Sequence, residues 1–249
     1  METNQENYEK RVVFFLDILA FKNMINSSET KVADVKKFLD MIKDLENDQK
    51  YSPSLKVTTF SDSVIVSFEY TEGSRLFFEL INFLHLQFEL FGQRGVLMRG
   101  ACAMGDAIHT DKYVFGRAVN DAYLLESKCA LYPRIIISED IIRECSCYSM
   151  HQNYNDQKDI LKLLKQDTDG FYYIDYFSYD VVDSEMDYPE YWGLYMRNVQ
   201  EFIVKGLKTQ DISVKQKYLW LKDKYNRALT DILITNYQNH NSISLSKID

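Results

Sequence analysis

The sequence predicts an α+β fold: a ferredoxin-like βαββαβ core followed by a helical C-terminal extension. Three observations carry this. Runs rich in β-branched and aromatic residues at 11–16, 54–60 and 63–69, and a largely apolar run at 95–104, alternate with helical patterns at 29–48 and about 73–92. The 249-residue chain is 46% hydrophobic and 14% aromatic with 9 Gly and 3 Pro, which is the composition of an ordered globular protein. From about residue 189 onward two long helical patterns dominate, one of them over 214–238.

Residues 1–10, METNQENYEK, are polar and read as a flexible N-terminus. RVVFFL at 11–16 is a buried strand that ends at Asp17, and Val32, Val35, Phe38, Leu39, Ile42 and Leu45 then recur at helical spacing. SLKVTTF and SVIVSFE form a hairpin around Ser61-Asp62. GVLMRGACAM at 95–104 is a strand closed by Gly105. The resulting order is strand, helix, strand, strand, helix, strand, which folds as an antiparallel sheet with helices on one face. A helix near 116–130, a strand at 135–138, helical stretches at 139–147 and 155–165, and a strand at 171–177 follow. No linker-like segment interrupts the chain. The division is a core domain over 11–178 and a helical extension over 179–249 packed on that core.

Charge narrows the partners. With 29 Lys+Arg against 37 Asp+Glu the net charge is -8, and no basic run resembles a nucleic-acid stripe. A negative protein handling a polyanionic nucleotide needs divalent cations to bridge the charges. The most apolar N-terminal stretch, Val12 to Leu16, is too short for a signal-peptide core or a membrane span. Cys102, Cys129, Cys145 and Cys147 follow no disulfide framework, so the expectation is a reduced, cytoplasmic protein without membrane or nucleic-acid partners. Cys145 and Cys147 with His151 lack the spacing of a closed zinc site.

Two carboxylates carry the chemistry. Asp17 interrupts an apolar run, and a buried unpaired carboxylate costs several kcal/mol, so it must meet water, a cation or a metal. The competing reading is a cap on the following helix. Asp62 sits at the tip of the central hairpin, and the inferred topology brings it beside Asp17. Two such carboxylates repel unless cations lie between them, and hard divalent ions take oxygen ligands of this kind. The competing reading of Asp62 is turn propensity. Arg99, on a strand, is a candidate to hold a phosphate or a base; Asn120, opening a helix, is either functional or a cap.

Four segments then fall into a known order. FLDILAF at 15–21 resembles the FxDIxGF signature of class III nucleotide cyclases, and FSDS at 60–63 resembles the segment with their second metal-binding Asp. RGACAMG at 99–105 resembles their RxGxxxG strand, and FGRAVNDAYLLE at 115–126 resembles their G-xx-VNxAxRxE helix start. The resemblance covers about residues 11–138. With YPRIIIS added, the wording is most similar to the pyrimidine nucleotide cyclases of bacterial Pycsar antiphage systems.

The resemblance implies a class III cyclase-like fold and a set of roles. Asp17 and Asp62 would hold two divalent cations, Mn²⁺ or Mg²⁺, with the Ile18 carbonyl as a further ligand. Phe15 and the segment Ile18, Leu19, Ala20 and Phe21 would line the substrate site, with amides cradling a triphosphate. Asn120 would reach the ribose or the reacting phosphoryl group from the other chain of a homodimer with composite sites. Three departures bear on specificity and catalysis. Leu124 stands where the family has a helix arginine, leaving Arg99, Arg117 or Lys128 as substitutes. Thr58 and Tyr113 stand at the purine-selecting positions, which implies a smaller base contacted by Thr58, Tyr113 and Arg99. The implied activity is conversion of UTP to cyclic UMP and pyrophosphate in antiviral defence. The alternatives are a cytidylate cyclase or a catalytically impaired nucleotide-binding sensor.

Overall fold

The computed structural model describes residues 7–19, 21, 25, 32–47, 54–70, 73–147, 161–179, 189–234 and 245–249. The chain forms two compact units, Met1–Leu80 with Met98–Tyr173, and Ile81–Leu97 with Ile174–Asp249. The 81–97 segment, which the sequence reading leaves with the core, thus clusters with the C-terminal residues.

The first unit is organised around β1 (Glu9–Ile18), which is fully buried from Val12 to Phe14 and again at Leu16. Such burial on both faces explains why it reads as a continuous apolar run rather than an alternating one. β1 pairs antiparallel with β3 (Ser63–Glu69) on one side and with β4 (Met98–His109) on the other. β2 (Lys56–Phe60) completes the hairpin with β3, so the strands run β2-β3-β1-β4, the antiparallel order of a ferredoxin-like core. Beyond β4 the sheet continues through β6 (Ile135–Ile137), which is parallel to β4, then β8 (Tyr172–Ile174) and β7 (Leu164–Gln166). β5 (Val114–Gly116) folds back onto the end of β4.

Helices α1 (Val32–Lys43), α2 (Gly73–Gln87), α3 (Arg117–Cys129) and α4 (Glu139–Cys147) join these strands. The seating of α3 decides where its polar residues point. Ala118, Val119 and Ala122 pack against Val13, Ala103 and Ala107, with Phe15, Ile65 and Val114 at the margin. Small side chains on both surfaces let the helix backbone approach the sheet closely.

Two glycines are required by close approaches to neighbouring strands. A Cβ on Gly100 would lie 2.7 Å from the Phe15 carbonyl oxygen and 2.6 Å from Leu16 Cδ2, because β1 and β4 are in contact there. Gly116 has φ +136° and would meet the Asp106 carbonyl at 2.5 Å. Gly105, by contrast, has only ordinary contacts with Ala118, the nearest at 3.7 Å.

The second unit contains a π-helical turn over Phe88–Gln93, α5 (Pro189–Gly206) and α6 (Ile212–Ile234). The helix anticipated over 73–92 is present as one helical run, α-helical to Gln87 and π-helical over Phe88–Gln93. Within the π-helical turn the bare Cα of Gly92 receives the Tyr195 ring, which a Cβ would meet at 2.4 Å. The Phe88 and Tyr195 rings meet edge to face at 4.2 Å, and Asn198 donates to the Gly92 carbonyl at 2.9 Å. Asn226 on α6 both donates to Ile248 O and accepts from Ile248 N at 2.9 Å, which ties down the C-terminal residues.

Other boundaries also move. β1 extends to Glu9 and Ile18 because β4 supplies partners along its whole length. β4 continues past Gly105 to His109, since β5 pairs with residues Ala107 to His109. The strand anticipated at 171–177 shortens to Tyr172–Ile174, where pairing with β6 ends. Of the helix anticipated at 155–165, residues 155–160 lie outside the described residues and Leu164–Gln166 is strand.

Gly100→Ala should cost about 1–3 kcal/mol, because the added methyl meets a backbone carbonyl that cannot swing away. Urea denaturation checks it: a midpoint equal to the wild type would mean that β1 and β4 are not in such close contact.

Candidate active site

β1 carries Asp17 to its C-terminal end, and the antiparallel ladders bring two neighbours to it. Asp17 lies opposite Ser63 of β3 and opposite Arg99 of β4. Because Ser63 follows the hairpin tip, Asp62 is next to Asp17, and the Ile18 amide donates to the Asp62 carbonyl at 2.9 Å. The sheet thus juxtaposes the two predicted carboxylate residues. That amide is consequently committed to the hairpin. Ser61, at the tip, holds φ 56°, an uncommon conformation for a residue with a Cβ.

Residues directly opposite across a ladder share a face. Val13 and Phe15 of β1 face α3, so Asp17, two residues on, points the same way. There it meets Arg99, whose Nε donates to Asp17 Oδ2 at 3.0 Å. The same Nε lies 2.8 Å from Oε1 of Glu126, a contact close enough for strong attraction but without hydrogen-bond alignment. Glu126 reaches inward from α3 and is buried. Burial pushes its carboxyl above the usual range, the Arg99 charge opposes this, and the Asp17 charge adds to it. Two acidic groups therefore share one guanidinium.

Glu126 falls inside the resembling segment, but the sequence reading assigns it no role. Its signal is an acidic residue on the apolar stripe that holds Ala118, Val119 and Ala122.

The remaining candidates are spread around this centre. Asn120 is exposed on α3, three residues past the helix's first residue, while Gly116 occupies the N-cap without a side-chain bond. The cap reading of Asn120 is therefore wrong. Phe15 packs edge to face on Tyr123 at 5.3 Å. Ile18 and Phe21 are buried and Leu19 half-buried, while Ala20 lies outside the described residues. Leu124 is exposed, Arg117 pairs with Asp121 on the surface, and Lys128 is exposed in the last turn of α3.

Thr58 belongs to a second cluster in the same unit. Its hydroxyl is 2.9 Å from Nε2 of His109, whose Nδ1 is 2.8 Å from the Ser67 hydroxyl. Arg11 Nε donates to that same Ser67 hydroxyl at 2.9 Å. Thr58 and His109 line a cleft of about 280 Å³ with Lys43, Glu46, Lys56 and Asp111. Burial, followed by the Arg11 charge, pushes the His109 pKa down to about 4. His109 escaped the sequence reading because that reading closed the strand at Gly105. Tyr113 lies on the turn beyond it, 61% exposed, its amide donating to Thr110 Oγ1 at 3.0 Å.

The donor set suits a hard divalent cation. Asp62 is half-exposed, and its carboxylate has no hydrogen bond or ion pair among the described residues. Among those residues there is no group of three or more His, Cys, Asp and Glu arranged for a metal, so any cation site here is built on two carboxylates and backbone oxygen. The Cys145 and Cys147 side chains and His151 lie outside the described residues. No described helix is long and apolar enough to cross a membrane.

No protein-family model matches the chain, and no curated protein matches it. Among solved structures, it is similar to an adenylate/guanylate cyclase/hydrolase from Silicibacter pomeroyi (TM-score 0.43, 15% identity, 68% of this chain and 95% of that one). It is also similar to a class III adenylyl cyclase-like ATP-binding protein from Pseudomonas aeruginosa (TM-score 0.41, 13% identity, 82% of this chain and 44% of that one). A third is a bacterial light-regulated adenylyl cyclase (TM-score 0.43, 14% identity, 80% of this chain and 59% of that one). This chain thus spans less than two thirds of the latter two. Likenesses of this size carry no argument about activity, which rests on the site residues.

Glu126 makes the site's electrostatics measurable. A carboxyl whose pKa is raised by folding adds stability below its unfolded value, near 4.5, and that stability is lost as pH rises through the raised value. Glu126→Gln does not titrate, so its stability relative to the wild type should climb between pH 4.5 and neutral pH. Denaturant titrations of both proteins across that range check it; a difference that stays flat, or falls with pH, would contradict the buried, desolvated carboxyl.

Proposed function

We propose that this chain is a metal-dependent nucleotide cyclase that converts UTP to cyclic UMP and pyrophosphate, acting in antiviral defence signalling. The observation that carries the reading is the register that seats Asp17 beside the Asp62 hairpin and opposite Arg99, at the end of a buried strand. The four sequence segments that resemble class III cyclases contribute these same residues. The defence role rests on that resemblance alone.

In the proposed reaction the ribose 3′-hydroxyl attacks the α-phosphorus, the new P–O bond closes the ring, and the bond to the bridging oxygen breaks to release pyrophosphate. Mg²⁺ or Mn²⁺ ions held by Asp17, Asp62 and the Ile18 carbonyl would lower the hydroxyl pKa and neutralise phosphoryl charge. Arg99 is the basic side chain nearest Asp17 and takes the part of the missing helix arginine at Leu124; its bond to Asp17 keeps the guanidinium at the reacting end of β1. Glu126 attracts the same Nε from α3 and helps to hold the guanidinium there. Thr58 and Tyr113 face the base.

A homodimer completes the site. Phe60, Tyr113, Phe115, Tyr123 and Leu124 leave large apolar groups exposed around the candidate residues, with Phe60 81% exposed. A two-fold partner covering them would present its Asn120 to the Asp17–Asp62 pair. A second reading, a nucleotide-binding sensor without turnover, is favoured by Arg99 being shared between Asp17 and Glu126 while Leu124 replaces the helix arginine.

Incubation with each of the four NTPs and Mn²⁺, with products separated by mass, should give a cyclic monophosphate and pyrophosphate from UTP. Asp62→Asn should abolish turnover with the melting temperature unchanged or slightly raised, since one of two repelling carboxylates is gone. Pyrophosphate release from no NTP would favour the sensor; full activity in Asp62→Asn would remove the two-cation assignment.

The composite site has its own signature. Asp62→Asn and Asn120→Ala should each be inactive as homodimers, yet a subunit-exchanged mixture should recover about a quarter of wild-type activity, because half the dimers are hybrids with one intact site. If tagged pull-down confirms exchange and activity stays at the single-mutant floor, the site lies within one chain.

A further inference from the structure

One buried oxygen beside Asp17 has a donor within reach and no hydrogen bond from it. Glu126 Oε1 is sealed from water and has no hydrogen-bond partner among the described residues, although Arg99 Nε lies 2.8 Å away. That nitrogen carries a single hydrogen, and the hydrogen is aimed at Asp17 Oδ2 at 3.0 Å. A buried carboxylate oxygen denied its hydrogen bond costs free energy. Two acceptors therefore compete for one donor.

The two acceptors are not equivalent. Asp17 stands at the end of β1 with its side chain 19% exposed, next to the Asp62 hairpin. Glu126 is on the apolar stripe of α3 with its side chain 4% exposed. A cation arriving from solvent can reach Asp17 and cannot reach Glu126. Charge then works in one direction, since a cation on Asp17 repels the guanidinium while the Glu126 carboxylate attracts it. At 2.8 Å the Glu126 oxygen is already at hydrogen-bond distance, so the guanidinium has to rotate rather than travel.

We propose that Glu126 is a positioning residue for cation binding, a second acceptor to which the Arg99 Nε hydrogen turns when a divalent cation takes Asp17 Oδ2. This role rests on the two-cation reading above and adds to it a residue that touches neither metal nor substrate. The hydrogen stays on Nε throughout, and what changes is the oxygen that accepts it. Asp17 gives up a charged hydrogen bond and Glu126 gains one, so the cation binds against a smaller opposing free energy. A hydrogen bond to a charged group is worth about ten- to a hundredfold in an equilibrium constant, which sets the size of the effect.

The test uses the full chain with α,β-methylene-UTP, an analogue that cannot release pyrophosphate. In ¹H–¹⁵N spectra the Arg99 Nε–H signal is assigned by its absence in Arg99→Gln. It should move when Mg²⁺ and the analogue are added, and stay protected from exchange with water. In Glu126→Leu, which removes the acceptor, the same additions should bring it into rapid exchange. Electron paramagnetic resonance of Mn²⁺ with the analogue should show binding about tenfold weaker in Glu126→Leu. Glu126→Gln, which keeps a neutral acceptor, should show a smaller loss, and it decides the matter if melting curves show that Glu126→Leu does not fold. In an Arg99→Gln background, Glu126→Leu should leave the Mn²⁺ affinity as it was. A purely structural Glu126 would move the melting temperature and not the affinity. Wild-type Mn²⁺ affinity in the folded Glu126 variants, an Arg99 signal that does not move, or a Glu126 effect that persists without Arg99 overturns the exchange and leaves the two-cation reading standing. No Mn²⁺ binding, or binding that ignores Asp17→Asn, overturns both.

Discussion

A carboxylate at the end of a buried strand must be compensated, and much of the first unit is arranged around that requirement. Asp17 closes a strand whose preceding residues are almost entirely removed from water. Left unpaired there, it would cost several kcal/mol. Arg99 answers it from the adjoining strand, and the pairing holds only in the register where Gly100 lets β4 lie against Leu16 and Phe15. Glu126 then shares the same guanidinium from α3, whose close approach depends on the alanines at 118 and 122 and at 103 and 107. One ion pair, two glycine-sized or alanine-sized gaps and one helix are mutually dependent.

The arrangement carries more negative than positive charge. Two acidic groups on one Arg99, with Asp62 one residue from the ladder partner of Asp17, leave an excess that a divalent cation would relieve. That excess is the electrostatic reason for proposing a divalent cation at this end of β1.

Much of this was legible in the sequence. The β-branched runs fixed β1 and the β2–β3 hairpin, and their order alone implied that Asp17 and Asp62 meet. What sequence could not show has physical causes. β4 runs past Gly105 because β5 doubles back on it, a pairing of three residues too short to announce itself by periodicity. That hid His109 and with it the hydrogen bonds that join it to Thr58 and Ser67. The π-helical turn at Phe88 packs Gly92 against the Tyr195 ring, more than a hundred residues away in the chain. Glu126 was visible as a residue, but its burial depends on how closely α3 meets the sheet. Asn120 reversed its simpler reading, since the helix begins at Arg117 with Gly116 as its cap.

The central claim is that Asp17 and Asp62 form one oxygen-donor site opposed by Arg99. Electron paramagnetic resonance of added Mn²⁺ measures it directly, by counting free and bound ion in the presence and absence of a non-reactive UTP analogue. The account predicts that the analogue induces bound Mn²⁺ in the wild type, that Asp17→Asn and Asp62→Asn each lose it, and that the double variant is no worse than either single one. Undiminished Mn²⁺ binding in the Asp17→Asn protein would contradict it.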